Sequence, residues 1–220
     1  MVEANEPISP ASWARFAVIA GLLACAAYFG SVVFHVLPRG FSRVLFFAFG
    51  PLSVASTVGF YYAVRPHVAG IALTIGALFN VIAGVIVNIM AVVQTTQFTV
   101  IPGQIREASD EASKEVLTHV LWGVNVVQSG LDVSWDIFVN TGTALLAIAL
   151  ARHPRFGLLF AIPGALVGGG ALVLNLYTFP AAPASAGLVD LGPAVGLWYV
   201  LVLLRLAFLV GWLRRGDAPA

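Results

Sequence analysis

The sequence predicts an all-α fold, a polytopic transmembrane helical bundle of about six spans, and three observations predict it. Charged residues make up 10% of the 220 positions, where a soluble domain carries about a quarter. Apolar residues make up 60%, which leaves too few polar side chains to cover a globule against water. The apolar residues also gather into six runs, each long enough for a hydrocarbon core that takes roughly 20 residues to cross. Lipid is therefore the expected solvent and the bilayer the expected partner. A β-barrel would show segments of about ten residues alternating apolar and polar, and no such alternation is present.

The six runs are Trp13–Val36, Phe41–Val64, His67–Val93, Leu131–Ala151, Phe156–Thr178 and Leu191–Leu213, all within one integral membrane domain covering residues 1–220. The first is preceded by Glu3 and Glu6 without a basic start, so it reads as a retained span and not a removed signal peptide. Gly50-Pro51 in the second span and Pro163 in the fifth are expected to kink their helices, because proline removes an intrahelical hydrogen bond. Gly164 and Gly168-Gly169-Gly170 give the fifth span a small face that admits a close backbone neighbour.

Most connections are short; two are longer. Thr95–Glu115 carries a run of mixed-sign helix formers, Glu107 to Glu115, which reads as a surface or interfacial helix before the fourth span. It leads into the apolar stretch Val116–Ser129, too long to join the fourth span as one straight crossing, and Ser129-Gly130 is where a bend is expected. Phe179–Gly192, rich in Pro, Ala and Gly, reads as a tight ordered loop or a re-entrant turn.

Orientation follows from basic residues, which accumulate on the cytoplasmic side. The side shared by both termini holds Arg15, Arg65, Arg152, Arg155, Arg214 and Arg215, against Arg39, Arg43, Arg106 and Lys114 opposite. A multi-pass protein of a cell membrane with both termini in the cytoplasm is expected. Trp13, Tyr61, Tyr62 and Trp212 fall near that same interface, where amphipathic rings are favoured.

The fourth span carries the chemistry. At about 100° per residue, Asn125, Gln128, Ser129, Asp132, Asp136, Asn140 and Thr143 share about a third of the circumference. One aspartate turned to lipid costs roughly 2.5–3.5 kcal/mol at mid-span, so the stripe is expected to face the bundle interior or a wet cavity. His35, Asn88, Gln94, Asn175 and Asp190 fall in the same outer half, and Asn80 nearer the midplane. The functional reading makes Asp132, Asp136, Asn140, Asn88, Asn175 and Asp190 an outward-facing site for a cation, a proton or a small polar solute. Carboxylates one turn apart share protons or hold hard cations. The structural reading makes them interhelical glue, each bond contributing about 0.6 kcal/mol.

Other function classes have less behind them. A formal charge of +1 without basic clusters gives no sign of nucleic acid. Cys25 is the sole cysteine, which excludes an intrachain disulfide. No cofactor is implied, since nucleotide and nucleophile motifs are absent. With them goes the case for an enzyme, although the carboxylates are suited to acid–base work. His35, His67, His119 and His153 form no pair at helical spacing. His35 and His119 beside Asp132 would be a weak metal arrangement, because tight sites take three or four ligands. Arg205, the sole basic residue deep in a span, is expected to snorkel or to bond a helix end.

The segments Asn175-Leu-Tyr-Thr-Phe-Pro, Gly187-Leu-Val-Asp-Leu-Gly-Pro, Gly196-Leu-Trp-Tyr and Gly130-Leu-Asp-Val-Ser-Trp-Asp resemble segments of bacterial six-helix integral membrane proteins with no assigned activity. The resemblance implies a bacterial, inner-membrane location and carries no activity or site residue. Two expectations therefore stand side by side. One is a binding or transport protein built on Asp132 and Asp136. The alternative is an accessory or assembly protein acting through contacts with an unidentified protein partner, its interface being the fifth-span glycines.

Overall fold

A computed structural model describes residues 8–30 and 38–214. Its helices are α1 (Pro10–Tyr28), α2 (Arg39–Val64), α3 (Ile71–Thr95), α4 (Ile101–Glu107), α5 (Glu111–Leu150), α6 (Gly157–Thr178) and α7 (Gly192–Arg214), with a π-helical segment at Thr96–Val100 joining α3 to α4. No strand occurs among the described residues. Six helices are long and apolar enough to cross a bilayer: α1, α2, the continuous Ile71–Glu107, α5, α6 and α7. The protein is an all-α integral membrane bundle. His35 and the expected end of the first span lie outside the described residues.

Helix starts follow local chemistry where they meet water. Ser9 caps α1, accepting from the Ser12 N–H at 3.2 Å, with Pro10 in the first turn where its missing N–H costs nothing. Asp110 caps α5: its carboxylate accepts from both the Ser113 N–H and the Ser113 hydroxyl at 2.8 Å. Those bonds hold the Asp110 carboxyl below the usual carboxylate range. Inside the spans, hydroxyls turn back onto their own helix. Ser53 bonds the Phe49 carbonyl, Thr57 that of Ser53, and Thr95 that of Ala91. Hydrocarbon offers them no other partner.

Sequential helices pack antiparallel, and glycine sets the closest approaches. A Cβ on Gly50 of α2 would stand 2.6 Å from the Gly84 carbonyl of α3. One on Gly76 of α3 would meet the Leu146 nitrogen of α5 at 2.9 Å, and one on Gly168 of α6 the Asn140 carbonyl of α5 at 2.8 Å. Gly164, one turn away, lies under the Trp198 ring of α7. Gly164 and Gly168 on the small face of α6 are thus filled from within the chain, by α5 and α7, while Gly169 stays open. α7 closes the ring of helices against α1, where Leu203 sits over Gly21. Leu73, Leu146, Leu150 and Leu206 make the dense core on the side where α1 begins and α7 ends, hereafter the terminal side. The outer faces carry exposed Leu159, Leu166, Val173 and Phe208, as a surface wetted by lipid requires.

Two helices outrun the membrane. At 1.5 Å per residue, the 40 residues of α5 measure about 60 Å, twice the thickness of about 30 Å of a hydrocarbon core. Ile71–Glu107 is nearly as long, with 37 residues. Their shared excess falls on the far side, where they project as a hairpin. The acidic and basic run from Glu111 to Glu115 forms the first turns of α5, and the helix continues unbroken through Ser129-Gly130. Hydrogen bonds from the Ser129 hydroxyl to the Asn125 carbonyl and from the Ser134 hydroxyl to the Gly130 carbonyl flank that point. A mid-helix glycine weakens a helix by about 1 kcal/mol and does not by itself break it. Phe179–Leu191 is a chain of turns on the same side, in which Gly187 (φ +80°) takes the left-handed conformation open to glycine.

Two neighbouring glycines separate packing from propensity. Gly168→Ala drives a methyl group into the α5 backbone and should lower the melting temperature in detergent. Gly169→Ala, with nothing within 4 Å, should leave it unchanged or raise it, since alanine stabilises a helix by about 0.5–1 kcal/mol over glycine. Equal melting temperatures for the two variants would contradict the α5–α6 contact.

Candidate functional site

The acidic residues of α5 stand one turn apart, at the level where α6 ends and α7 begins. Asp132 and Asp136 are half-buried; Asn140, one further turn in, is 2% exposed and Thr143 fully buried. The face read from helical spacing is therefore turned into the bundle along its deeper half. Gln128, also buried, donates from Nε2 to Asp132 Oδ2 at 2.6 Å. Asp190 accepts the Gly192 N–H at 2.8 Å and so tethers the first turn of α7, where the helix dipole favours an anion. Both Asp132 and Asp190 lie near enough to Asp136 for their charges to act on it. Asp136 itself has no hydrogen-bond partner among the described residues, and the one ion pair among them joins Lys114 to Glu111, away from the site.

The amides predicted alongside are arranged differently. Asn140 continues the carboxylate file. Asn88 has its Cβ against Gly50 of α2, and its Oδ1 is buried without a partner. Asn175 donates to the Ala171 carbonyl of its own helix at 2.9 Å. Neither bonds an aspartate, so the structure gathers Asp132, Asp136, Asp190 and Asn140 and leaves Asn88 and Asn175 at similar depth on other faces. His119 is thirteen residues from Asp132 on one helix, about 20 Å at 1.5 Å per residue, which takes it out of any shared metal site. No three His, Cys, Asp or Glu groups among the described residues converge on a metal ion.

Deeper in, three helices share one polar cluster. The Tyr199 hydroxyl of α7 donates to Asn80 Oδ1 of α3 and lies 2.8 Å from the Thr143 hydroxyl of α5. Asn80 Nδ2 bonds the Gly76 carbonyl at 2.9 Å. Asp132, Asp136, Asn140 and Thr143 thus lead by single turns to Tyr199 and Asn80. Beyond that cluster the interior is sealed by Leu73, Leu146, Leu150 and Leu206. Tyr199 was not singled out in the sequence, although a tyrosine deep in a span signals that its hydroxyl needs a partner.

A second titratable cluster closes the terminal side. The His153 ring, 2% exposed, lies edge-on to His67 at 5.4 Å between centroids, and His67 packs on Trp212 at 4.7 Å. Arg205 donates from Nε and Nη2 to the Arg155 carbonyl at 3.1 and 2.9 Å, bonding the α5–α6 turn. The Arg155 guanidinium lies over Trp212. Burial, then the neighbouring His67 and Arg205, push His153 down to about 4; burial also lowers His67. The signal lay in the two short connections, Arg65-Pro66-His67 and Arg152-His153-Pro154-Arg155, which antiparallel spans bring to one side.

Compared with known families, curated proteins and solved structures, the chain matches none. The site's chemistry rests on its own geometry.

Two outcomes follow. Tyr199→Phe leaves Asn80 Oδ1 buried and unpaired, which should destabilise the bundle by about 1–3 kcal/mol, read as a lower melting temperature. His153 stays neutral in the fold below its ordinary value of 6.5, so the unfolded chain takes its proton first. Its contribution is whole above pH 6.5 and is lost as pH falls towards about 4. Thermal unfolding should thus shift to lower temperature on acidification through that window, and by less in His153→Gln. The same shift in both proteins would remove His153 as the source.

Proposed function

We propose that this integral membrane protein binds a cation, or a small polar solute carrying positive charge, at the far-side mouth formed by Asp132, Asp136 and Asp190. The observation that carries the reading is Asp136. It is a half-buried carboxylate with like charges for neighbours and no hydrogen-bond or cationic partner among the described residues. A carboxylate so placed is neutralised by taking a proton or by holding a cation, and intramembrane acids mark ion, proton and substrate paths. The carboxylates are too dispersed to enclose a bare metal ion, which favours a proton or a hydrated or organic cation.

Each residue has a distinct part. Asp136 is the binding group. Asp132, steadied by Gln128, and Asp190, fixed at the start of α7, supply the field that draws a cation in. Asn140 offers amide groups one turn deeper. The Thr143–Tyr199–Asn80 cluster ends the polar file, and the leucine core behind it closes the terminal side. Passage to the terminal side requires Leu73, Leu146, Leu150 and Leu206 to part. With the termini cytoplasmic, as the basic residues favour, the mouth faces outward. The alternative, an assembly protein docking through its fifth-span glycines, would have Gly169 to offer a partner, since Gly164 and Gly168 are filled by α5 and Trp198.

Asp136→Asn tests the reading. In liposomes, the wild-type protein should bind or pass monovalent inorganic or organic ammonium cations, or release protons into a pH-sensitive dye on deprotonation. The variant should lose at least about 90% of that signal, a change of about 1.4 kcal/mol, while keeping its melting temperature. A variant that folds and retains the full signal would refute the role of Asp136.

A further inference from the structure

The projecting hairpin carries α5 well past the membrane, and one face of that helix stays apolar as it goes. Gly168 packs on Asn140, so Thr178, ten residues further along α6, ends level with about residue 130 of α5. Headgroups extend about 5–8 Å past the hydrocarbon on each side. Val120 and Val116 lie about 15 and 21 Å beyond residue 130 at 1.5 Å per residue, which puts them in water. They are 47% and 62% exposed. Lipid does not reach them, and the rest of the chain leaves them open.

Spacing says what fits that face. Val116, Val120, Gly123, Val127, Gly130 and Ser134 follow one another at alternating steps of four and three residues, the repeat of a helix that pairs with another helix. Two heptads further along the same row lies Ile148, 53% exposed. A Cβ on Gly123 or Gly130 would have nothing within 4 Å, so a neighbouring helix can come close there. No charged residue interrupts the row: Asp132 and Asp136, the acidic residues of this stretch, lie on the opposite side of the helix. The glycine contacts of α3 and α6 fall on other residues of α5, Leu146 and Asn140.

We propose that two copies of this chain pair through this face of α5, as a parallel, left-handed coil about a two-fold axis along the membrane normal. A second copy inserted the same way presents the same face at the same depth and in the same direction. Like residues then meet, valine on valine and glycine on glycine. The β-branched Val120 and Val127, one heptad apart, suit a two-stranded pair. The area is sufficient. Val116 to Ile148 runs for about 48 Å, and a strip of contact about 10 Å wide, close to a helix diameter, gives about 500 Å² per copy. The pair buries about 1,000 Å², the size that a specific interface has to reach. The pairing uses the side of α5 turned away from the aspartate mouth and does not depend on it.

The test uses the full chain in phosphatidylcholine liposomes, with two readouts. In the first, single cysteines are placed at Val120→Cys or Thr118→Cys in a Cys25→Ala background and oxidised. Both positions are exposed on the water-borne part of α5, but Thr118 lies off the row. A covalent dimer should form at least about tenfold faster through Val120→Cys. In the second, energy transfer between differently labelled copies is followed as the protein is diluted into lipid. Gly123→Leu and Val120→Lys should each weaken association about tenfold, while Asp136→Asn leaves it unchanged. Both substitutions fall where the chain itself makes no close packing, so the variants report on pairing even if one of them is poorly folded. A wild-type protein that stays monomeric, equal cross-linking at the two positions, or association that both variants preserve would overturn the proposal.

Discussion

In hydrocarbon, every polar group has to find its partner inside the protein, and the arrangement of this chain follows from that requirement. Backbone groups meet it by forming helices. Hydroxyls and amides meet it by bonding the carbonyl one turn back, as Ser53, Thr57, Thr95, Asn80 and Asn175 do. Glycines at 50, 76, 84 and 168 let helices approach until backbone touches backbone, which supplies the dispersion contacts that hold a bundle together where lipid removes the hydrophobic drive between helices. Against so complete a settlement, the few unmatched groups become informative. Asp136, Asn88 Oδ1 and Gln97 Oε1 lie towards the far side; His67 Nδ1 lies at the terminal side.

Much of the architecture was legible because length and apolarity decide what crosses a bilayer. The six spans were readable to within a few residues over most of their ends. The exception is instructive. The sequence reading places a bend at Ser129-Gly130 before the fourth span, because a membrane is about 30 Å thick and Val116–Leu150 is longer. The chain instead lets α5 run on into water, where it is paired with the continuation of α3 through Gln97 and Asn125. Membrane thickness limits the buried part of a helix and says nothing about its total length. That pairing joins residues 28 apart, and helical periodicity within one element does not report it.

The candidate site divides along the same line. Asp132, Asp136, Asn140 and Thr143 could be placed on one face because 100° per residue is a local rule. Asp190 was legible in depth, and the start of α7 brings it to the mouth. Asn88 and Asn175 were legible in depth alone. Depth along the membrane follows from position in the sequence, but which way a residue faces depends on the rotation of its own helix, and that is set by packing. Gly50 fixes it for Asn88. Tyr199, His67 and His153 escaped for a related reason: each acquires its surroundings from helices far away in sequence, such as Asn80, 119 residues from Tyr199.

The two sides of the bundle are built differently. On the terminal side, Trp212 and Phe156 pack on His67 and His153, Arg155 covers Trp212, and Arg205 ties the α5–α6 turn to α7. This is a closed, clamped structure with a leucine core behind it. On the far side, the carboxylates of α5 stand where α6 ends and α7 begins, and the hairpin of α3–α4 and α5 projects beyond them with Gln97 Oε1 buried and unpaired. A protein whose work was lateral assembly would have no need to concentrate uncompensated polar groups at one end, because each costs stability in a low-dielectric setting. On the proposed reading, a cation reaching the bundle from that side would compensate the carboxylates among them.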